Sequence, residues 1–238
     1  MTEFRRRRAD FSSFLLDLLT RQLDELGRDR AQPYDIVDLG GGTGGVATAL
    51  ARLGHRVTVV DPSPDALASL ERRTVDAGLQ GLIVGRQGDA SDLVDVLGPA
   101  STDVVVCHRV LDVVESAPDA LAATAAVLRP EGALSLLVAQ RDATVLSLAL
   151  AGHVALARRA YADRTGFDVE QVVALVQQAG FTVVAGHGIG AISAFVPEPV
   201  LDAEPGARTE LAALEAEVSQ DPAFRSLAPY LHVFARLS

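Results

Sequence analysis

The chain is expected to fold as an α/β protein, with a seven-stranded, mostly parallel sheet and helices on both faces. Three observations predict this. Apolar, β-rich runs alternate with helical segments from residue 35 to about 130, the rhythm of strand–helix–strand units. Those runs are apolar almost throughout, as strands covered on both faces are. Residues 40–45, Gly-Gly-Gly-Thr-Gly-Gly, join the first strand to the helix after it, a corner where backbone N–H groups and a helix N-terminus approach a ligand closely.

The elements follow in order. Residues 11–26 carry apolar side chains at 11, 14, 15, 18, 19, 23 and 26, the spacing of an amphipathic helix ended by Gly27, and 29–34 form a linker containing Pro33. Strands are expected at 35–39, 56–60, 82–86, 103–107 and 132–138, and helices at 44–53, 64–77, 91–97 and 117–128. Pro62, Ser63 and Pro64 mark the turn into the second of these helices, and Leu128-Arg129-Pro130-Glu131-Gly132 ends the fourth. The rhythm then breaks. Residues 142–164 read as one long inserted helix, after which a helix at 168–179 and a strand at 181–185 restore the pattern. An acidic helix at 209–220 and a last strand at 230–236 complete the chain. As domains, 1–30 form an N-terminal helix at the lip of a cleft. Residues 31–238 form a single domain with a helical insertion at about 142–164 and the acidic helix at about 207–220.

Composition removes several chemistries. With 238 residues and 49% apolar content, the chain has enough material for one sizeable core. All 21 basic residues are arginine, so no Schiff base, tyrosine–lysine relay or phosphate-loop lysine is available. The one cysteine, Cys107, excludes an intramolecular disulfide and a multi-cysteine metal site and suits a reducing cytoplasm. Histidines 55, 108, 153, 187 and 232 are scattered without ligand spacing, so no metal is expected. The start of the chain lacks the apolar core of a signal peptide, and the longest apolar run, 143–157, is interrupted by Gly152 and His153 and is short for a membrane span. A formal charge of −10 argues against a strongly electrostatic nucleic-acid binder. Much of it sits in 198–221, where seven acids face Arg208 alone, so a basic patch elsewhere is compatible with the total.

In an open parallel sheet, ligands bind at the carboxyl ends of the strands, near the switch in strand order. The residues just past the first four strands are 40–44, Asp61, 88–90 and His108 with Arg109. Gly40, Gly42 and Gly45 satisfy the dinucleotide pattern G-x-G-x-x-G. Asp38 tips the reading, because an anionic pyrophosphate gains nothing from a carboxylate beside the turn, whereas a ligand carrying an amino group and a sulfonium does. S-adenosylmethionine is such a ligand. Asp61 is then expected on its ribose hydroxyls and Asp89 on its adenine amino group.

This set, Asp38-Leu39-Gly40-Gly41-Gly42-Thr43-Gly44 with Asp61 and Asp89, resembles the class I S-adenosylmethionine-dependent methyltransferase family over about residues 30–190. The resemblance implies a Rossmann-like sheet with an antiparallel last strand, supplied by 230–236. Short-chain dehydrogenases need a tyrosine–lysine pair that this chain lacks. Three further runs are similar to bacterial tRNA methyltransferases that esterify 5-carboxymethoxyuridine at the wobble position: Cys107-His108-Arg109-Val110-Leu111-Asp112-Val113-Val114, residues 128–136, and Tyr230-Leu231-His232-Val233-Phe234-Ala235-Arg236. This closer resemblance implies that Gly40, Gly41, Asp61, Ala90, Ser91 and His108 line the cofactor pocket, and that a first-helix arginine, here Arg8, contacts the cofactor or a substrate carboxylate. The subgroup's lysine/arginine cluster after the fifth strand is replaced here by Arg158, Arg159, Asp163 and Arg164.

The expected function is therefore methyl transfer from S-adenosylmethionine to a small-molecule acceptor or a tRNA wobble uridine, in the cytoplasm. The alternative is a catalytically silent cofactor-binding module that regulates a partner. Asp38, Gly40, Gly41, Gly42, Asp61, Asp89, Ala90, Ser91, His108 and Arg8 are the candidate cofactor residues, and His108 is the candidate general base. Arginines 5–8 read as a solvated arm or an anion-binding lip. Residues 142–164 read as a lid over the substrate, as core, or as the face of a homodimer.

Overall fold

The computed structural model describes residues 2–26, 33–164 and 166–238, the side chains of 2–12 and 198 excepted. Residues 29–32 of the linker and the side chains of arginines 5–8, including Arg8, therefore lie outside the described residues. In chain order the elements are α1 (Thr2–Leu26), β1 (Asp35–Leu39), α2 (Gly45–Arg52), β2 (Arg56–Asp61), α3 (Pro64–Asp76), β3 (Ile83–Gln87), α4 (Leu93–Leu97), β4 (Thr102–His108), α5 (Ala117–Val127) and β5 (Leu128–Ala139). There follow α6 (Arg141–Leu150), α7 (Val154–Ala162), α8 (Val169–Gln178), β6 (Phe181–Ile189), α9 (Glu198–Ala203), α10 (Ala207–Val218), α11 (Pro222–Leu227) and β7 (Tyr230–Leu237).

The seven strands form one sheet in the order β3-β2-β1-β4-β5-β7-β6, mostly parallel, with antiparallel pairing among the C-terminal strands. The order reverses between β1 and β4, which pair in parallel with Asp38 level with Val106 and Leu39 level with Cys107. On the other side of β1, Leu39 is level with Val60. Asp61 is level with Gln87, and His108 with Leu137. This register brings the ends of β1, β2, β3 and β4 to one edge. Val104, Val105, Val106 and Cys107 are fully buried, because β4 is central and β-branched side chains pack well on a sheet covered from both sides.

The opposite, amino-terminal edge is tied by charge. The Asp35 N–H donates to Asp103 Oδ2 at 2.9 Å, and Arg129 reaches Asp35 at 3.1 Å and Asp103 at 3.0 Å. Arg56 adds a 2.6 Å pair with Asp35 and, by hydrogen-bonding its carboxylate, holds the Asp35 pKa below the usual range. These contacts pin β1, β2, β4 and β5 against slippage, which matters because a one-residue shift would turn every side chain to the wrong face.

The chain divides into two compact units. One comprises Thr20–Leu137, Val173–Ala185 and Val233–Ser238 and holds β1–β4 with their helices. The other comprises Val138–Val172 and Gly186–His232, with the chain start up to Leu19. Within the latter, Arg141 N donates to Phe167 O and Phe167 N to Ala139 O. The Arg141 guanidinium bonds Asp168 (2.9 Å), the Gly166 carbonyl (3.1 Å) and Gln171 (2.8 Å). The buried Glu215 carboxylate accepts the N–H groups of Ala191, Ile192 and Ser193 at 2.6, 3.1 and 2.9 Å.

Several sequence expectations are corrected. The long helix expected at 142–164 is two helices, α6 and α7, broken at 151–153. Gly152 there takes φ +80°, a left-handed conformation that ends helices and that glycine adopts without steric cost. β5 begins at Leu128, paired with Thr102 across an irregularity, rather than at 132. β6 runs on to Ile189. Neither α9 nor α11 was expected, although Asp221, which caps α11 by accepting the Ala223 N–H at 2.9 Å, with Pro222 after it, is a readable helix start.

Candidate functional site

The glycine turn is built by backbone bonds. Gly40 N donates to Val60 O at 2.7 Å and Gly44 N to Gly41 O at 2.9 Å, while Gly40, Gly42 and Gly44 all take positive φ. Gly42 N donates to Asp61 Oδ2 at 2.9 Å, and Ser63 N donates to Asp61 Oδ1 at 2.9 Å. Each oxygen of Asp61 thus holds one end of the crevice and keeps a lone pair for a ligand hydroxyl. Ser63 in turn caps α3, its hydroxyl accepting the Ala66 N–H at 3.2 Å.

Gly40, Asp61, Asp89, Ala90, Ser91 and His108 line one cleft of about 730 Å³. The loop after β3 holds its shape because Asp89 Oδ1 accepts both the Ser91 N–H at 2.7 Å and its hydroxyl at 2.6 Å. Those bonds keep the exposed Asp89 carboxyl below its usual pKa, hence charged. His108 enters from the end of β4 with Nε2 2.9 Å from the Ser135 hydroxyl on β5.

Three expected residues lie elsewhere. Gly41 and Gly42 belong to the turn without lining the cleft, and Asp38 is buried beneath that turn at 3% exposure. The Asp38 carboxylate accepts the backbone N–H of Ala47 in the first turn of α2, and this donor draws it under the loop rather than into the crevice.

The cleft has a second wall, of which the sequence reading named only Arg109: Arg109, Val110, Val113, Glu115, Ser116 and Asp119, from the turn after β4 and the start of α5. Val113 is 81% exposed there, and Arg109, at φ +66°, is paired with Asp112. The positive φ of Arg109 turns the chain, and no composition signal announces it.

The acceptor set decides what the cleft suits. Asp61, Asp89, Glu115 and Asp119 line it against one arginine, Arg109, which Asp112 already engages. A diphosphate would meet no uncommitted cation among these residues. A cationic nucleoside fits, with carboxylates for hydroxyl and amino donors and an unpartnered buried oxygen, Asp38 Oδ2, under the turn. No group of His, Cys, Asp and Glu able to hold a metal occurs among the described residues.

A family described as a methyltransferase domain matches residues 37–136, the stretch that builds this cleft. The tRNA 5-carboxymethoxyuridine methyltransferase of Escherichia coli (strain K12) is 26% identical over 230 residues, covering 92% of this chain and 84% of that protein. Residues 37–136 of the chain thus carry a methyltransferase domain.

The mitochondrial ubiquinone biosynthesis O-methyltransferase of Schizosaccharomyces pombe is 34% identical over 148 residues, 60% of this chain. The chain spans 52% of that relative's length. The fold of the chain is shared with the plantazolicin methyltransferase BamL, solved with a triazolic desmethylPZN analog and SAH (TM-score 0.66, 14% identity, 98% of this chain and 88% of that one). It is also shared with a geranyl diphosphate methyltransferase (TM-score 0.57, 17% identity, 91% and 75%).

Burial sets the protonation of the residues inside this domain. Desolvation pushes the Asp38 carboxyl up to about 7, offset in part by the Ala47 N–H and reinforced by the negative charge of Asp61. Desolvation pulls His108 down to about 4, so its imidazole is neutral at neutral pH. The Cys107 thiol, buried in β4, is pushed up to about 12 and is no nucleophile. Among the described residues no helix is long and apolar enough to cross a membrane.

Proposed function

We propose that this protein transfers a methyl group from S-adenosylmethionine to an oxygen atom of a small-molecule acceptor in the cytoplasm. The observation that carries the acceptor class is the charge of the cleft: four carboxylates and a single, ion-paired arginine line it. RNA binders draw much of their affinity from arginine and lysine contacts to phosphates, and these walls offer none. An oxygen acceptor agrees with the O-methyltransferase named among the relatives.

When bound, S-adenosylmethionine supplies a methyl group made electrophilic by its sulfonium. The chain's residues bind and orient. Asp61 takes the ribose hydroxyls, Asp89 with Ala90 and Ser91 brackets the adenine, and Gly40 with the turn of Gly41 and Gly42 admits the ligand close to the backbone. Asp38 supplies negative charge from beneath. Val110 and Val113 exclude water and hold the acceptor in line, an alignment worth ~7 kcal/mol or more of barrier in comparable reactions. A carboxylate acceptor needs no base. For a hydroxyl acceptor, His108, neutral and oriented by Ser135, receives the proton.

The end-to-end match to the tRNA enzyme, 92% of this chain, favours a second reading in which the acceptor is the carboxylate of a wobble uridine. Radiolabelled methyl transfer to phenols, small carboxylic acids and bulk tRNA separates the two. Labelled small molecules with salt-insensitive kinetics support the first. Labelled tRNA, with filter binding that weakens steeply between low and high salt, replaces it with the second. Cofactor bound tightly with no labelled product from any acceptor would point to a regulatory module.

A further inference from the structure

Asp38 is the least satisfied charged group of the glycine turn. It is 3% exposed, and its Oδ2 has no hydrogen-bond partner. The nearest space above it is closed by Gly41, where an added Cβ would stand 2.5 Å from the carboxyl carbon. The groups that bear on it come from every neighbouring element. From α2 it receives the Ala47 N–H, and from β2 it meets the like charge of Asp61. On β4 lies Cys107, whose thiol feels both Asp38 and Asp112. None of these side chains is a cation. A buried carboxylate beside a second carboxylate is costly to ionise unless positive charge arrives.

We propose that Asp38 couples cofactor binding to proton release: it carries a proton while the cleft is free and gives that proton to solvent when the sulfonium cofactor is held beside the glycine turn. This rests on the assignment of the cleft to S-adenosylmethionine. It adds a means of telling cofactor from product. Methyl transfer removes the sulfonium charge, so the demethylated thioether leaves Asp38 uncompensated and the carboxyl takes a proton back. The anion is thus present for the substrate form of the cofactor and absent for the spent form, which favours exchange of product for fresh cofactor. Its burial, and the resulting upward displacement of its pKa to about 7, puts the exchange in the neutral range. Asp61 is anchored by two backbone N–H groups, whereas Asp38 keeps an oxygen without a partner.

The test is isothermal titration of the full chain with S-adenosylmethionine in buffers of different ionisation enthalpy, for wild type and Asp38→Asn. At pH 7 the wild type is expected to release roughly half a proton more than the variant, and its affinity to rise roughly tenfold more between pH 6 and pH 8. The cofactor's own amino group titrates alike in both proteins and cancels in the difference. Equal proton release by the two proteins overturns the proposal, while absence of cofactor binding by the wild type overturns the cofactor assignment instead. Should the variant fail to fold or bind, ¹³C NMR of the wild-type Asp38 carboxyl decides. Expected is a carboxyl titrating near neutrality in the free protein and with S-adenosylhomocysteine, and ionised throughout with S-adenosylmethionine. A carboxyl ionised down to pH 5 in the free protein overturns the proposal.

Discussion

The Asp38 carboxyl and Gly41 share one small volume. A Cβ on Gly41 would stand 2.5 Å from the carboxyl carbon and one oxygen of Asp38, well inside contact distance. Gly41→Ala therefore forces either the turn or the acid to move. Overpacking of this kind costs about 1–3 kcal/mol, so a lower thermal midpoint together with weakened cofactor binding is expected. Calorimetry showing unchanged stability would mean that the acid does not lie under the turn.

Asp38 also gives the free protein a distinctive pH dependence. Its folded pKa is raised from 3.8 to about 7, so between those values the native state binds more protons than the unfolded one. Stability must then fall as pH rises through that window, at roughly 1.4 kcal/mol per unit of displacement at most. Denaturant unfolding of wild type and Asp38→Asn at pH 5 and pH 8 checks this. The gap between them should favour the variant more at pH 8, by up to a few kcal/mol.

Asp61 accepts N–H groups from both sides of the crevice and is proposed to take the ribose hydroxyls as well. Hydrogen bonds to charged groups are worth about 1.5–3 kcal/mol each. Asp61→Ala should weaken cofactor binding by roughly tenfold to several hundredfold, read by titration calorimetry. Unchanged affinity would remove the ribose from this position.

Burial lowers the His108 pKa to about 4. Being depressed in the folded state, it adds stability as pH rises from about 4 towards the unfolded value near 6.5. The corresponding kinetic expectation is a kcat/KM profile with no His108 limb between pH 5.5 and 8. A limb near 6.5 that vanishes in His108→Asn would show the imidazole to be solvated instead.

In the other compact unit, Glu215 is buried and accepts three backbone N–H groups from Ala191, Ile192 and Ser193. Glu215→Gln keeps the shape but turns an amide N–H₂ toward these donors. A loss of about 2–4 kcal/mol is expected from the broken charge-assisted bonds, measured as a shift of the denaturation midpoint.

Most of the sheet was legible because its signals are local. β1, β2 and β4 lie within a residue of their expected bounds, since β-branched runs such as Val104–Val105–Val106 tolerate little else. The helix expected at 142–164 was misread because composition across Gly152 stays apolar on both sides, and only the φ of that one residue ends the helix. The carboxyl-end residues Gly40, Asp61, Asp89 and His108 could be named in advance, since parallel alternation alone sends them to one edge.

The amino-acid sequence by itself determined the alternation of elements, the methyltransferase-like glycine turn, and the carboxylates that end the strands, because each is written in short-range pattern and residue type. Only the tertiary structure decided that Asp38 lies beneath the turn rather than in the cleft, that Val113 stands in the wall of the cleft, and that Arg109 is committed to Asp112. Those outcomes depend on which distant group fills the neighbouring space. Burial, pairing and protonation are properties of that space, and no single residue carries them along the chain.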